Sequence, residues 1–303
     1  MKFLFLVAAL LLEQVRPLRQ GNRIYLLFIR YATSIERHFN GGQYRHGVIG
    51  WLLVVPPVVL VAVVVQLLLV RVSPWLGWLW SVAVLYLTMG FRQFSHYFTE
   101  IMEALREGRL EVARDYLGKW RGESAAEFSA NEIARVAIEL GLISSHRHVF
   151  GTIACFIALG PAGAVLYRMA AMLGEKWGLP NDPEFGRFAE RFFFWLDWLP
   201  SRLTAASFAI VGNFEDAVYC WRTQALSWAM HTHGIILASG AGAIGVRLGD
   251  TLHHYGALQF RPEMGTGDEA DVDYMQSAVG LIWRALVLWM FLLLLASVAY
   301  SLG

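Results

Sequence analysis

Long runs of apolar residues, separated by short polar connections, dominate the chain. The clearest run covers residues 48–70, which contain no charged side chain. This run is long enough to cross the roughly 30 Å hydrocarbon core of a bilayer, since a crossing takes about 20 helical residues. Pro56 and Pro57 lie inside the run and predict a bent helix. A tight connection follows at 71–74, and residues 75–91 are apolar again, so the two runs predict a transmembrane hairpin.

Further apolar runs repeat this pattern along the chain. A short run at 3–12 is similar to the core of a signal peptide, but no small-residue cleavage site follows it. It therefore predicts a retained anchor that lies at the interface or is half-inserted. No alternating pattern of useful length predicts a strand, so sheet is not expected. The pattern predicts an all-α, polytopic helical membrane protein with about five to seven membrane segments. The additional runs are 149–173, 192–212, 228–248 and 280–302.

One water-facing piece, residues 92–147, interrupts the apolar runs. Its apolar residues recur at helical spacing, which predicts an amphipathic helix. Ser129 and Glu132 have the Ser-x-x-Glu spacing of a capping box, so a second amphipathic helix is expected to begin there. Arginines cluster before the first span, and the positive-inside rule then places both 13–47 and 92–147 in the cytoplasm. We interpret 1–303 as one membrane domain that carries 92–147 as a cytoplasmic helical insertion.

Composition and charge exclude other classes of protein. Of the 303 residues, 56% are hydrophobic and 16% are charged, which is more apolar material than a soluble domain can bury. The 25 lysines and arginines balance 24 acidic residues, so the basic excess typical of nucleic-acid binding is missing, and no nucleic-acid partner is expected. Cys155 and Cys220 lack metal-type spacing and predict neither disulfides nor redox chemistry. The lipid bilayer is the expected partner.

Two patterns that can signal a bound group also have simpler interpretations. Gly240, Gly242 and Gly245 match the Gly-x-Gly-x-x-Gly phosphate loop, but the strand–turn–helix context is missing, and small residues in an apolar helix more often allow close helix packing. Nine histidines are present. On a helix, residues i and i+2 point about 200° apart, so a His-x-His pair cannot chelate a metal there. We therefore predict close packing at the glycines and assign no metal site. The histidine pairs are His146 and His148, His231 and His233, and His253 and His254.

Ionisable residues inside the apolar runs are candidates for binding a ligand. Asp197 and Arg202 lie in 192–212, and Arg168 lies in 149–173, where charged groups are costly and usually face a bundle interior or a wet cavity. The alternative is that 192–212 does not span the membrane and that Asp197 pairs with Arg202 near the interface. Arginine forks match phosphate and carboxylate groups, which makes a pocket for an anion a hypothesis. Its candidate residues are Glu139, Arg147, Arg168, Asp197, Arg202 and Arg247.

Three motifs, in this order along the chain, resemble successive signatures of the CobD/CbiB family. They are Gly-Pro-Ala-Gly-Ala-Val-Leu-Tyr-Arg at 160–168, Leu-Asp-Trp-Leu-Pro-Ser-Arg-Leu-Thr-Ala at 196–205, and Gly-Ala-Ile-Gly-Val-Arg-Leu-Gly at 242–249. The resemblance implies a multi-pass protein of the bacterial inner membrane and adds Tyr167 to the candidate ligand-binding residues. The family's synthases join adenosylcobyric acid to an aminopropanol phosphate by ATP-dependent amide formation. A corrinoid ligand is thus implied and, for an active synthase, magnesium and ATP.

The chain departs from the synthase pattern at several carboxylates. Where synthases carry Glu-Ser-Leu-Ala-Glu-Asn-Leu-Ser-Asp, residues 139–147 keep only Glu139. An Asn-Thr-Leu-Asp segment of the synthases is replaced at 171–174, and an Asp-Asp pair is replaced by two phenylalanines at 193–194. An ATP-dependent ligase needs carboxylates to hold magnesium between the phosphates, so these losses argue against the family reaction. Other features, at 196–200 and 212–217, resemble the AmpE branch of the family, which has no established chemistry.

Two functional hypotheses therefore stand side by side. The first is a degenerate paralogue with a regulatory or ligand-sensing role, which binds a small polar ligand near Arg168, Arg202 and Arg247 and a protein partner on 92–147. The alternative is an active synthase in which Glu139, Asp197 and the acidic loop 268–273 hold magnesium and ATP. Helix breaks also allow a transporter, but no inverted repeat supports one.

Overall fold

The computed structural model describes residues 2–15, 23–178, 183–254 and 257–302. The chain forms two compact units, of which the first comprises residues 1–90 and 147–200 and the second 91–146 and 201–303. Helices make up most of both units, which confirms the all-α class. The helices are α1 (Lys2–Val15), α2 (Arg23–Phe39), α3 (Tyr44–Val72), α4 (Pro74–Thr88), α5 (Phe91–Arg106), α6 (Leu110–Arg121), α7 (Ala130–Ser145), α8 (Gly151–Leu159), α9 (Pro161–Trp177), α10 (Pro183–Val211), α11 (Phe214–Gln224), α12 (His231–Ile244) and α13 (Val272–Leu302).

The first unit contains the predicted hairpin. Helix α3 continues through Pro56 and Pro57 to Val72, and Ser73 alone separates it from α4, which has Pro74 in its first turn. Proline suits this position because the first helical N–H groups have no partner within the helix. Trp51 of α3 is buried, and its ring lies 4.2 Å from that of Phe192. Aromatic packing of this kind holds α3 against α10.

Three helical stretches of the described residues are long and apolar enough to cross a membrane. They are Tyr44–Val72, Ala130–Leu159 and Val272–Ala299. The second stretch joins α7 to α8 through a π-helical turn at His146–Phe150, so the boundary predicted at residue 147 falls inside continuous helix. These helices, in a chain of this composition, confirm a helical membrane protein. The cytoplasmic placement of 92–147 stays a prediction.

Two other predicted membrane segments form shorter helices. The run 75–91 corresponds to α4, with 15 residues, and the run 228–248 corresponds to α12, with 14. Helix α12 is buried almost over its whole length, which is expected of a helix that is apolar on all sides. Its Ser239 hydroxyl donates to the carbonyl of Ala205 at 2.8 Å, so its polar group is satisfied inside the second unit.

The second unit also contains four short strands among the described residues. β1 (Val246–Arg247) pairs in parallel with β4 (Asp268–Glu269), and β2 (Leu252–His254) pairs antiparallel with β3 (Ala257–Gln259). The lack of an alternating pattern predicts no sheet, and these strands are a correction to that expectation. Two or three residues are too few to show an alternation of polar and apolar positions, although they can pair backbone groups between α12 and α13.

The capping box predicted at the start of α7 is present. The Ser129 hydroxyl accepts from the Glu132 N–H at 3.3 Å, and the Glu132 carboxylate accepts from the Ser129 N–H at 2.8 Å. We expect Ser129→Ala to lower the free energy of unfolding by about 1 kcal/mol, because an N–H group of the first turn loses its acceptor. Ser129→Thr, which keeps a hydroxyl, is the control. Unfolding in mixed detergent micelles measures both, and equal stability of the two variants would contradict the prediction.

Candidate polar ligand site

The centre of the candidate site in the second unit is the buried carboxylate of Glu139, which is 4% exposed. Arg261 donates to both of its oxygens, from Nη1 to Oε2 at 2.6 Å and from Nη2 to Oε1 at 3.1 Å. The backbone N–H of Gly249 donates to Oε1 at 2.8 Å. A two-pronged guanidinium pair with an added backbone donor is among the strongest hydrogen-bonded arrangements in proteins. Glu139 is thus the central acceptor of a buried polar cluster that includes Arg261 and Gly249.

Gly249 can occupy this place because it has no side chain. Its φ of 75° lies in the left-handed region, and a Cβ atom there would overlap the carbonyl oxygen of Pro262. Arg261 also donates to the Gly249 carbonyl at 2.8 Å. The last glycine of the third motif is therefore bound to the one glutamate kept from the glutamate-rich segment. Two motifs that are 110 residues apart meet here.

One face of α7 holds the segment that follows β1. Glu132, Arg135 and Glu139 are spaced three and four residues apart, which places them on one side of the helix. The Glu132 carboxylate accepts from His253 N–H at 3.1 Å and lies 2.9 Å from His253 Nδ1. Arg135 donates to the Asp250 carboxylate at 3.1 Å and to the carbonyl of Thr251. Each of the three side chains thus binds a different part of the same loop.

Arg202 and Arg247, the other two candidates in this unit, do not bind Glu139. Arg202 is half-buried in α10, and Arg247 is exposed on β1. In the parallel pair, Arg247 is opposite Glu269 of β4, and both residues are exposed. A guanidinium and carboxylates of the acidic loop therefore lie on adjacent strands. This pairing was not expected from the sequence, because β1 and β4 are about 20 residues apart.

Tyr167, Arg168 and Asp197 belong to the first unit. The Tyr167 hydroxyl donates to Asp197 Oδ1 at 2.8 Å, and both side chains are buried. Gly151 lies against the Tyr167 hydroxyl, where a Cβ atom would overlap it. Arg168, next in the sequence, is half-buried. The first two motifs are therefore joined by a buried tyrosine–aspartate pair.

The glycine-rich segment of α12 serves packing. A Cβ atom at Gly242 would lie 2.5 Å from the Asp216 carbonyl oxygen, and one at Gly240 would lie 2.8 Å from the Leu142 side chain. Gly245 ends the helix with a φ of 69°. The segment is at the carboxyl end of α12, where the helix dipole disfavours phosphate. The prediction of close helix packing is confirmed.

No three histidine, cysteine, aspartate or glutamate side chains within the described ranges are grouped so that they could hold a metal ion. Both oxygens of Glu139 already accept hydrogen bonds from Arg261 and Gly249, so this carboxylate does not fit the role of a magnesium ligand. Asp197 likewise accepts from Tyr167. The Asp268 and Glu269 side chains of β4 are exposed, and Asp268 Oδ2 accepts from the Tyr274 hydroxyl at 3.2 Å. Exposed carboxylates of this kind are the oxygen ligands that a hard cation takes.

Sequence reasoning missed Arg261 and Arg135 as members of the polar cluster. The sequence does carry a signal that Arg261 pairs with a carboxylate, because Arg261 is the single Lys or Arg beside six acidic residues in 250–276. Arg261 also lies over the ring of Trp228, with its Cζ 5.6 Å from the ring centroid. Arg135 has no such signal, because its partner Asp250 is 115 residues away.

Asp250 gives the cluster a dependence on pH. The pKa of its carboxyl lies below the ordinary value of 3.8 because the Thr251 N–H and then the nearby Arg135 favour the charged form, while partial burial acts against it. A lowered pKa stabilises the folded protein above the ordinary value, and the contribution is lost as the pH falls through the folded-state pKa.

We therefore expect Asp250→Asn to lower the thermal midpoint at pH 7 and to make little difference at pH 2. The loss is expected to stay under about 1 kcal/mol, since the Asp250 side chain is 48% exposed. Asparagine tolerates the φ of 61° at this position, so the variant removes the charge alone. Equal differences between the two proteins at both pH values would contradict the expectation.

The family model described as CobD/Cbib protein matches residues 6–282. The chain belongs to the CobD/CbiB family. It is 33% identical over 305 residues to the cobalamin biosynthesis protein CobD of Stutzerimonas stutzeri, a match that covers 99% of each chain. It is 37% identical over 219 residues to CobD of Chromobacterium violaceum, covering 72% of this chain and 70% of that one. The CbiB protein of Salmonella typhimurium is 26% identical over 288 residues, covering 90% and 89%. No solved structure matches the chain significantly.

Family membership confirms the resemblance that the three motifs indicate, and the apolar helices agree with a multi-pass membrane protein. In this CobD/CbiB protein, the Glu139–Gly249 bond joins the retained glutamate to the third motif, and the Tyr167–Asp197 bond joins the first motif to the second. The finer likeness to the AmpE branch stays a prediction.

Proposed function

We propose that this CobD/CbiB protein acts in cobalamin biosynthesis at the bacterial inner membrane, where it forms an amide bond between adenosylcobyric acid and an aminopropanol phosphate. The observation that carries the proposal is the match to a CobD protein over 99% of both chains. In the reaction, the amine nitrogen forms a bond to the carboxyl carbon and loses a proton, while the carboxyl oxygen leaves on a phosphate group that is cleaved from ATP. ATP and magnesium are thus substrates of the proposed reaction.

The surface of β1 and β4 is the part of the second unit that best fits the phosphate groups. Arg247 is exposed there and presents a guanidinium, whose fork suits phosphate oxygens. Asp268 and Glu269 on the adjacent strand supply oxygen ligands of the kind that magnesium prefers. We propose that Arg247 binds the phosphate groups and that the two carboxylates hold the magnesium ion that accompanies them. Glu139 is a positioning residue, because it binds Gly249 two positions after Arg247.

The second candidate function is the degenerate paralogue, a ligand-sensing protein without catalysis. One observation favours it: the single carboxylate kept from the glutamate-rich segment, Glu139, is bound by Arg261 and not free for a cation. In this case a small polar or corrinoid ligand binds near Arg202 and Arg247 of the second unit, and a protein partner binds the helices of 92–147.

One assay separates the two functions. The purified protein in detergent is mixed with adenosylcobyric acid, aminopropanol phosphate and Mg-ATP. Corrinoid binding is followed by visible absorbance and the amide product by mass spectrometry. Product formation supports the synthase, whereas binding without product supports the ligand-sensing protein. Neither binding nor product, in protein shown to be folded, would overturn both.

For the synthase, we expect Arg247→Ala to lower kcat/KM by about 100-fold, the size of effect seen when one donor to a developing charge is removed. Arg222→Ala, an exposed arginine of α11 in the same unit, is the control and should keep full activity. If Arg247→Ala retained full activity as well, the assignment of phosphate binding to β1 would be wrong.

A further inference from the structure

A half-open apolar groove of about 560 Å³ lies in the first unit, at the connected end of the α3–α4 hairpin. Its size falls within the 300–1,000 Å³ typical of ligand pockets. Nearly all of its lining is apolar. Its lining includes Gln66 and Val70 of α3 and Trp75, Gly77 and Ser81 of α4.

The hairpin itself builds two walls of this groove. Gln66 and Val70 are four residues apart on α3, and Gly77 and Ser81 are four apart on α4, so each pair lies on one helix face. A Cβ atom at Gly77 would overlap the Val70 side chain, which shows that the two helices approach closely beside the groove. Phe5 and Phe156 also line the groove. The ring centroid of Phe5 is 6.1 Å from that of Trp78 and 6.1 Å from that of Phe156.

Two polar side chains are placed inside this apolar lining. The Ser81 hydroxyl donates to the Gly77 carbonyl at 2.9 Å and lies 3.4 Å from Gln66 Oε1. The Gln66 amide nitrogen donates to no group within the described part of the chain. A donor in a membrane-spanning helix that lines an apolar groove suits a ligand that is mostly hydrocarbon and carries an acceptor such as an ester carbonyl.

The connected end of the α3–α4 hairpin, where the groove lies, carries side chains that mark a membrane interface. Trp75, a lining residue, is 77% exposed. Arg71, in the last turn of α3, is exposed and lies in sequence between the lining residues Val70 and Pro74. Tryptophan and arginine at the end of a span favour the level of the phospholipid headgroups. Gln66 is five residues before Arg71, which is roughly 7 Å deeper along the helix.

We propose that this groove binds one phospholipid, whose acyl chain fills the groove while its phosphate contacts Arg71. The Gln66 amide then donates to an ester carbonyl below the phosphate. The bilayer around α3 supplies this ligand. The site lies apart from the proposed phosphate-binding strands of the second unit in sequence and chemistry, and it does not depend on the proposed reaction.

Native mass spectrometry of the full chain in detergent, with phosphatidylglycerol as the probe, tests the proposal. We expect one bound lipid, and an affinity about fivefold lower in Arg71→Ala, as the loss of one arginine near a lipid phosphate implies. Arg45→Ala, at the opposite end of α3, is the matched control and should bind as the unaltered protein does. Equal affinity in Arg71→Ala, or equal binding of diacylglycerol, which lacks the phosphate, would overturn the proposal.

Filling the groove is a second, independent test. Val70→Phe adds a ring to the lining and should abolish retention of the lipid, whereas Val72→Phe adds the same ring to a residue that does not line the groove. Circular dichroism and size-exclusion profiles establish that both variants are folded. If Val70→Phe retained the lipid, or if a second copy of the chain occupied the groove and appeared as a dimer in the spectrum, the proposal would be wrong. If Val70→Phe does not fold, the comparison of Arg71→Ala with Arg45→Ala decides.

Discussion

Replacing Glu139 by alanine is expected to lower the free energy of unfolding by about 3–5 kcal/mol, the cost of breaking a buried ion pair from one side. The variant leaves the Arg261 guanidinium, which is only 16% exposed as a side chain, without its carboxylate. It also removes the acceptor of the Gly249 N–H. Unfolding by sodium dodecyl sulfate in mixed micelles measures the loss. Glu263→Gln, an exposed site two residues from Arg261, is the control and should change stability by less than about 0.5 kcal/mol.

A double-mutant cycle tests whether the loss of stability comes from breaking the Glu139–Arg261 ion pair. Arg261→Met alone leaves Glu139 buried without its two-pronged donor, so it should also be strongly destabilising. The double variant Glu139→Met with Arg261→Met removes both charges and should recover part of the loss, because neither partner is left uncompensated. If the two single losses simply added up in the double variant, the ion pair would not be the cause.

Gly242→Ala, on α12, is expected to lower the free energy of unfolding by about 1–3 kcal/mol through overpacking. The added Cβ would lie 2.5 Å from the carbonyl oxygen of Asp216 and 2.8 Å from the Cα of Ala217, and both of these are backbone atoms. A side chain can move away from such a contact, but α11 would have to shift as a helix. Thermal unfolding in detergent measures the change.

Gly280→Ala is the matched control for this prediction. Gly280 also lies within a helix of the second unit, α13, but a Cβ atom there would have no neighbour within 4 Å. Alanine costs less conformational entropy than glycine in a helix, so this variant should be as stable as the unaltered protein or more stable by up to about 1 kcal/mol. Equal losses in Gly242→Ala and Gly280→Ala would show that close packing is not the reason for the glycine in α12.

Local patterns in the sequence predict much of the fold. The uncharged run 48–70, with its length and its polar flanks, predicts α3, and the Ser129–Glu132 spacing predicts the start of α7. The apolar residues of 92–147 at helical spacing predict buried positions in α5, and Phe94, Phe98 and Ile101 are buried there. These features depend on neighbours within a few residues along the chain, so they can be recognised without the tertiary structure.

Membership of the CobD/CbiB family is also determined by the sequence, because the three motifs keep their residues and their order. The motifs name Tyr167, Asp197 and Gly249, but they do not say what each residue contacts. In the structure, Tyr167 binds Asp197, and Gly249 binds Glu139. The sequence alone leaves open whether these residues bind a ligand or one another.

Only the tertiary structure decided the partners of the charged residues. Glu139 and Arg261 are 122 residues apart, and Arg247 and Glu269 meet because two strands too short to give a periodic signal pair in parallel. The apolar run that contains α12 has the composition of a membrane span, but its 14 helical residues are buried by helices of the second unit. Hydrophobicity determines that such a helix leaves water, whereas its surroundings depend on packing between segments that are distant in the chain.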